Sequence, residues 1–206
     1  MKSPRSALLL GIGIGVVLAG GVAAILFASG AIDTGEEDDV DTRDIELPDE
    51  VNGMRAYADL LRESGHADQA AVIRQVNAAT AEALRDAYRG AATDVGTYSG
   101  DDLDSRASIA VIRAESPELV PPLVVAASDL GLAVPVDDVE TIGNVECLVR
   151  NPPTAEGQEV DVEQIAIQVC QRTGDDLTVR AIGVVGDLST DDVAELVDAT
   201  WDDVSG

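Results

Sequence analysis

The stretch Ala7–Ala28, ALLLGIGIGVVLAGGVAAILFA, determines how the chain is divided, because it contains no charged or strongly polar side chain. At about 1.5 Å per residue, a helix of this length spans roughly 30 Å, the hydrocarbon thickness of a bilayer. Lys2 and Arg5 precede it, and the next basic residue is Arg43. Since positive charge stays on the cytoplasmic side, we predict a single-pass helix with residues 1–6 in the cytoplasm and the remaining chain outside.

The same stretch has two further interpretations. Cleavage before Ala31, after the small residues Ala28-Ser29-Gly30, would release the rest of the chain, but the apolar run is longer than that of a usual signal peptide. We therefore expect a retained signal-anchor in the cell membrane. Gly11, Gly15 and Ala19 share one face of this helix, so two anchors are able to approach closely and form a homodimer.

The chain beyond this stretch is strongly acidic. Asp33–Gly206 carries 11 basic residues against all 39 acidic ones, which gives a formal charge of −28. Such a field repels nucleic acid, so we expect no nucleic-acid partner. Residues 29–46 are too poor in apolar side chains to fold alone and are expected to form an acidic linker, with the folded domain over residues 47–206.

Apolar periodicity within residues 47–206 predicts an α+β domain. Helices are predicted over Met54–Glu63, Asp68–Arg89, about Ser116–Leu130 and about Thr190–Asp203. Strands are predicted over Ala107–Ala114, Val139–Ile142, Val145–Arg150, Val162–Gln171 and Leu177–Val185, and Thr93–Asp104 is predicted to be a loop. This order indicates an extracytoplasmic antiparallel sheet of about five strands with helices packed against one face.

The predicted helices differ in how regular their sequences are. In the second helix one apolar stripe is expected to be buried, comprising Val72, Ile73, Val76, Ala79, Ala83, Leu84, Ala87 and Tyr88. In the third helix, Pro121-Pro122 makes the first turn irregular or delays the regular helix to Pro121, and Gly131 ends it. The last helix opens with Ser189, and an acid follows three residues later, as in a capping box.

Cys147 and Cys170 lie on successive predicted strands outside the cytoplasm, where paired cysteines usually form a disulfide. Strict alternation places Cys147 among valines and Cys170 among small or polar residues. A bridge then requires either a second apolar face, covered by the helices of residues 54–89, or a bulge near Gly143 or Gly174 that resets the alternation. We favour the second apolar face.

The order of these features resembles a group of uncharacterised single-pass exported proteins of actinobacteria with a two-cysteine α+β extracytoplasmic domain. The anchor and acidic tether are followed by a Leu47-Pro48 entry, by Gly143 shortly before Cys147, and by Val169-Cys170 at the start of a hairpin. Members of that group often carry Trp two residues after the second cysteine, where this chain has Arg172. The resemblance implies a cell-envelope location and a disulfide, and no known activity.

No motif in the sequence indicates a catalytic, cofactor or metal site. His66 is the only histidine, whereas a zinc site needs several N or S ligands and a Ser-His-Asp set needs this one residue as its base. Adjacent aspartates occur where turns and helix ends are predicted, at Asp101-Asp102, Asp137-Asp138, Asp175-Asp176, Asp191-Asp192 and Asp202-Asp203. Neither Asp101, Asp102 and Asp104 nor Asp39, Asp41 and Asp44 fits the spacing of a calcium loop.

These observations favour a membrane-anchored cell-envelope protein whose outer domain is a non-catalytic protein-interaction or accessory domain. Two alternatives stay open: an extracytoplasmic hydrolase with an unrecognised site, and a domain that binds a cation or small ligand. A deep pocket with convergent carboxylates or a Ser-His contact favours an enzyme. Exposed apolar surface favours a protein partner.

Overall fold

A computed structural model describes residues 40–205, in which one antiparallel sheet is packed against three helices. Its strands are β1 (Glu50–Val51), β2 (Met54–Ala56), β3 (Thr93–Ser99), β4 (Arg106–Ile112), β5 (Asp137–Ile142), β6 (Val145–Arg150), β7 (Ala166–Gly174) and β8 (Leu177–Val185). The helices are α1 (Tyr57–Glu63), α2 (Ala67–Ala87) and α3 (Thr190–Val204). Strand order is β1-β2-β3-β4-β8-β7-β6-β5. The α+β class is confirmed, and the sheet has eight strands instead of about five.

The predicted membrane helix over residues 7–28, with its pairing face of Gly11, Gly15 and Ala19, lies outside the described residues. Between residues 40 and 205, no helix is long and apolar enough to cross a membrane. At the start of the described chain, Ala92 N donates a hydrogen bond of 2.9 Å to Asp41 O, and Ile45 packs against the core. Contacts with the folded domain therefore begin before Leu47.

The largest error of the strand prediction is β3, because Thr93–Asp104 was expected to be a loop. β3 pairs with β4 over its whole length, from Thr93 opposite Ile112 to Ser99 opposite Arg106. Gly96 suggests a turn in the sequence, but its role is packing: an added Cβ would lie 3.0 Å from the Tyr98 ring and 3.1 Å from Leu47 Cδ1. From the sequence alone, a glycine required by the packing of a neighbouring ring cannot be distinguished from a glycine required by a turn.

The first helix begins at Tyr57, three residues later than predicted, because Met54–Ala56 forms β2. β1 and β2 make a short hairpin through Asn52 and Gly53, which have φ angles of 47° and 76°. A two-residue Asn-Gly turn with both φ angles positive is the preferred connection between antiparallel strands. The helix prediction over Met54–Glu63 did not include this hairpin.

Helices cover both faces of the sheet, so the expectation that they share one face is wrong. Along β4, Ile109 and Val111 join the large core that includes α3, whereas Ala110 faces the other way and packs with Ala81 of α2. α3 lies over β6, β7 and β8, and α2 lies over β3 and the near side of β4.

The predicted capping box of α3 is confirmed, since Ser189 Oγ accepts from Asp192 N at 3.2 Å.

The predicted apolar stripe of α2 is not buried, contrary to the expectation. Ile73, Leu84 and Tyr88 are half-buried, and the other five residues are exposed, with Val72 and Val76 at 46% and 43%. The buried residues of α2 lie outside the predicted stripe: Ala81 packs with Val95 and Ala110 of the sheet, and Ala70 packs with α1. A narrow stripe of small residues suffices because α2 covers little more than β3 and the edge of β4.

The third predicted helix, Ser116–Leu130, is wrong. Residues 114–136, here called the crossing segment, contain only a 3-10 turn at Ala127–Leu130. Gly131 ends that turn in the left-handed conformation, with φ 66°. Pro121 and Pro122 account for the absence of a helix over residues 116–121, since neither has an N–H to donate and each disfavours helical geometry at the residue before it.

The predicted disulfide between Cys147 and Cys170 is present, with the two Cα atoms 4.0 Å apart on directly opposed residues of β6 and β7. Both cysteines are fully buried under α3, not under α1 and α2 as expected. The alternation is reset by a bulge: Leu148 faces Val169, while Val149 faces Ile167, so Gln168 is the extra residue. The bulge alternative therefore holds, although its position is neither Gly143 nor Gly174.

Removing the bridge tests its contribution to stability. A Cys147→Ala/Cys170→Ala variant of the full chain is expected to lose about 2–4 kcal/mol of unfolding free energy, because the unfolded chain regains the entropy of a closed loop. Urea unfolding in detergent, with and without a reductant, measures this loss. The fold itself should persist, so circular dichroism that differs between reduced and oxidised protein before unfolding would contradict the prediction.

Candidate interaction surface

The crossing segment connects β4, in the middle of the sheet, to β5 at its edge, and it runs over the face opposite α3. Its first contact is with β8, where Thr178 Oγ1 donates a 2.8 Å hydrogen bond to Ala114 O. The next is with β7, where Ser116 N donates to Thr173 Oγ1 at 3.0 Å. Ser116 is also joined to the end of α2 by a 2.7 Å hydrogen bond between its hydroxyl and that of Tyr88.

A buried glutamine holds the next residues of the segment. Gln171 of β7 is 1% exposed, and its Nε2 donates to Pro117 O at 2.8 Å. Its Oε1 accepts two hydrogen bonds from Arg180 of β8, from Nε at 3.2 Å and Nη2 at 2.7 Å. On β6, the carboxylate of Glu146 accepts from Leu119 N at 3.3 Å. Three strands thus present one polar row to the segment's backbone.

The far end of the crossing segment is held as firmly. Asn151 N donates to Val136 O at 2.8 Å, and its side-chain amide donates to Pro135 O at 2.9 Å. Ala133 N donates to Thr154 O at 2.9 Å. Both ends of the segment are therefore fixed to the sheet or to the loop after β6, and only its middle lacks such support.

The middle of the segment, residues 120–125 with the sequence VPPLVV, makes no hydrogen bond to any other described residue. Its side chains face solvent: Val120 is 70% exposed, Leu123 is 45% and Val124 is 81%. Leu130, in the 3-10 turn that follows, is 51% exposed. We call Val120, Leu123, Val124 and Leu130 the apolar patch.

Exposed apolar side chains are concentrated here. Nine large hydrophobic residues of the described chain are exposed, and four of them form the apolar patch within 11 residues of sequence. Val72 and Val76 are the nearest comparable group, one turn apart on α2. Single exposed apolar residues are ordinary on a soluble domain, whereas a concentration of them marks an interaction site.

The crossing segment is acidic in sequence, and the cation that lies next to it through Gln171 is Arg180 of β8. No Lys or Arg occurs between Arg113 and Arg150, while seven acids do: Glu115, Glu118, Asp129, Asp137, Asp138, Glu140 and Glu146. Across residues 40–205, 11 arginines face 34 acidic residues, a formal charge of −23. The apolar patch thus lies in an acidic part of the domain. The negative charge favours a partner whose contact surface carries Lys or Arg.

Asp137 fixes the corner at which the crossing segment joins β5. Its side chain is 2% exposed, and its Oδ1 accepts from Arg150 Nε at 2.8 Å and from Gln168 Nε2 at 2.9 Å. The hydrogen bond from the Arg150 guanidinium, followed by that from Gln168, lowers the pKa of Asp137 despite its burial. The Gln168 bulge in β7 is what turns this amide toward Asp137.

The other residues that the sequence singled out do not come together. Cys147 and Cys170 lie in the core under α3, and His66 is the exposed N-cap residue of α2, with no side-chain capping bond. Asp192 belongs to the capping box of α3, where hydrogen bonds from Ser189 lower its pKa. Within residues 40–205, no group of three or more His, Cys, Asp or Glu side chains is arranged to hold a metal ion.

An open cleft of about 510 Å³ lies beside α1 and is lined by Asp49, Glu50, Arg55, Ala56, Asp59, Arg62 and Glu63. Its arginines are already paired: Arg55 with Glu63 at 2.8 Å and with Asp101 at 3.7 Å, and Arg62 with Asp59. The lining holds no histidine, serine or cysteine that could act as a nucleophile or its base. Of its four carboxylates, Asp59 and Glu63 are paired with the arginines of the cleft.

The chain matches no protein-family model, and no curated protein or solved structure is detectably similar to it. The arrangement of the crossing segment is therefore interpreted from its own contacts. Its signal in the sequence was the consecutive apolar run around two prolines, which fits neither helical nor strand alternation.

Asp137 gives a pH-dependent test of how the segment's corner is held. Because its pKa in the folded state lies below the ordinary value of 3.8, its ionised form stabilises the fold at neutral pH, and this contribution is lost as the pH falls through the folded pKa. Asp137→Asn should lower the unfolding free energy by about 1–3 kcal/mol at pH 7. The difference from the wild type should shrink as the pH falls below 3.8.

The matched control is Asp138→Asn, since the Asp138 carboxylate accepts only from the backbone N–H of Val139. Urea unfolding of both variants between pH 7 and pH 3 provides the comparison. A difference for Asp137→Asn that stays constant over this range would show that the ionisation of Asp137 does not stabilise the fold.

Proposed function

We propose that this chain is a membrane-anchored cell-envelope protein whose extracytoplasmic domain binds another protein through the apolar patch. The observation that carries the proposal is the exposure of Val120, Leu123 and Val124 on a segment whose two ends are hydrogen-bonded to the fold. A segment fixed at both ends presents these side chains at a defined position. It therefore loses less conformational entropy on binding than a free peptide would.

The size of the effect is adequate for recognition. Complete burial of a Leu or Val side chain contributes about 1.5–3 kcal/mol, and each 1.4 kcal/mol corresponds to a tenfold change in affinity. In the free domain Val124 is 81% exposed and Leu123 is 45% exposed, so most of the burial of Val124 and just under half of that of Leu123 would occur in the complex. These two residues alone could account for a substantial part of a micromolar affinity.

Two features support the location. The apolar stretch Ala7–Ala28 is long enough to span a bilayer, and the charges around it favour export of the remaining chain. The Cys147–Cys170 disulfide fits an oxidising compartment, where such bonds persist. Homodimerisation through Gly11, Gly15 and Ala19 belongs to the same proposal for the anchor, and it would place two acidic domains side by side on the membrane.

Membrane fractionation tests the anchor. The full chain should remain in the membrane pellet after an alkaline carbonate wash, because a spanning helix is not released by removing peripheral contacts. Immunoblotting of pellet and supernatant measures the distribution, with a known peripheral protein as the control that must be released. Mature protein that begins at Ala31 and is recovered from the medium would contradict retention.

Site-specific photo-crosslinking tests the binding surface. A p-benzoylphenylalanine at Leu130, exposed and part of the apolar patch, should give a discrete adduct in membranes of cells that produce the protein. Adding Leu123→Asp/Val124→Asp should reduce the adduct at least tenfold, because two charges would then have to be buried in the interface. Mass spectrometry of the adduct identifies the partner's surface.

The matched control places the same photo-crosslinker at Val162, which is 72% exposed but lies outside the crossing segment. The proposal requires an adduct from position 130 that position 162 does not give. Equal adducts from the two positions, or an adduct that survives Leu123→Asp/Val124→Asp, would show that the apolar patch is not the binding surface.

A further inference from the structure

We propose that the partner binds the middle of the crossing segment as an added β-strand, through main-chain hydrogen bonds to residues 123–125. The occupant is a protein with an open sheet edge whose flanking side chains are Lys or Arg. This inference rests on the proposed function and names the class of partner and its mode of binding.

The backbone of residues 123–125 carries the argument. Leu123, Val124 and Val125 have neither helical nor strand pairing, and their N–H and C=O groups bond to no described residue. A partner that covers Leu123 and Val124 must also remove water from these backbone groups. An unsatisfied buried N–H or C=O costs about 1–3 kcal/mol, so the partner has to supply hydrogen bonds to them.

Strand addition is the recognition mode that supplies them. It satisfies backbone groups of an extended peptide with those of a sheet edge and takes alternate side chains into pockets. A helix docked in a groove does not fit this stretch, because residues 120–125 are not helical in the structure and the first helical turn begins only at Ala127. Recognition as a polyproline helix leaves the peptide backbone solvated, so it supplies no hydrogen bonds to the N–H groups of residues 123–125.

The segment is preorganised for this mode. Proline fixes φ near −65° at residues 121 and 122, and the residue before each proline is confined to extended geometry. Leu123, Val124 and Val125 follow directly, and β-branched residues favour strands. The two prolines also prevent continuous pairing over the whole stretch, which limits self-association of an exposed apolar edge.

Charge determines which sheet edge fits. Glu118 and Asp129 flank the stretch, and no basic residue occurs between Arg113 and Arg150. The domain's formal charge of −23 over residues 40–205 repels a second copy of itself. A strand with Lys or Arg on its solvent-facing positions is attracted by the same field.

Amide hydrogen exchange on the full chain in phosphatidylcholine nanodiscs tests this inference with two defined probes. One is a capped ten-residue peptide that alternates Lys and Val, and the other is its Glu/Val counterpart. The Lys/Val peptide should slow exchange at Leu123–Val125 at least tenfold, whereas the Glu/Val peptide should leave it unchanged. Protection by both peptides alike, or by neither, would overturn the inference.

Two variants separate backbone pairing from side-chain contact. Val124→Pro/Val125→Pro removes two N–H groups but keeps the surface apolar, and it should abolish protection of Leu123 by the Lys/Val peptide. Val124→Ile/Val125→Ile, which keeps both N–H groups, is the control that should retain it. Equal protection in the two variants would refute strand addition.

The same variants distinguish this inference from the proposed function. Carried into the photo-crosslinking experiment at Leu130, Leu123→Asp/Val124→Asp tests the patch as a binding surface, and Val124→Pro/Val125→Pro tests the backbone mode. Loss of the adduct with the aspartates alone would leave a protein-binding patch and overturn strand addition. Slower exchange at residues 123–125 on raising the protein concentration without peptide would show that a second copy is the occupant, and would also overturn the inference.

Discussion

The eight-stranded sheet buries side chains on both faces, and residues 40–205 provide only one long helix for each. α3 closes the face that carries the Cys147–Cys170 bridge, while α2 reaches no further than β3 and the near edge of β4. The opposite face of β8, β7 and β6 has to be covered by something else. The crossing segment covers it, and the shortage of helix on this face explains why an irregular stretch of chain lies over the middle of a sheet.

Irregular backbone over a sheet needs partners for its polar groups, and the sheet supplies them. Thr178, Thr173, Gln171 and Glu146 point to this side because their strand neighbours face the core under α3. The polar residues that break the apolar pattern of these strands are thus the ones that hold Ala114 to Leu119. Beyond Leu119, residues 120–125 make no hydrogen bond to any other described residue, and the apolar patch begins there.

Local features of the fold could be predicted from the sequence. The strands Val145–Arg150 and Leu177–Val185 and the capping box at Ser189 rest on short-range patterns that no distant contact overrides. Other elements depend on neighbours far along the chain. Gly96 is a strand residue because the Tyr98 ring lies against it, and the cysteines meet on one face because Gln168 is bulged out toward Asp137.

The apolar patch lies within a segment that was predicted to be a helix. The helix was predicted over Ser116–Leu130, with Pro121-Pro122 either making its first turn irregular or delaying the regular helix to Pro121. In the structure no helix forms before the short 3-10 turn at Ala127, and the two prolines disfavour helical backbone ahead of them. In α2 the sequence predicted more burial than the structure has. The predicted apolar stripe is broader than the sheet surface available to it, so Val72 and Val76 are exposed.

The central claim is that residues 123–125 are neither helical nor paired in a strand, while the segment before them is fixed to the sheet. Amide hydrogen exchange on the unliganded full chain, resolved to single residues, tests it most directly. We expect slow exchange at Ser116 and Leu119, whose N–H groups are bonded to Thr173 and Glu146, and near-unprotected exchange at Leu123, Val124 and Val125. Protection of Leu123–Val125 equal to that of α2 would mean that the stretch is helical, and would contradict the account.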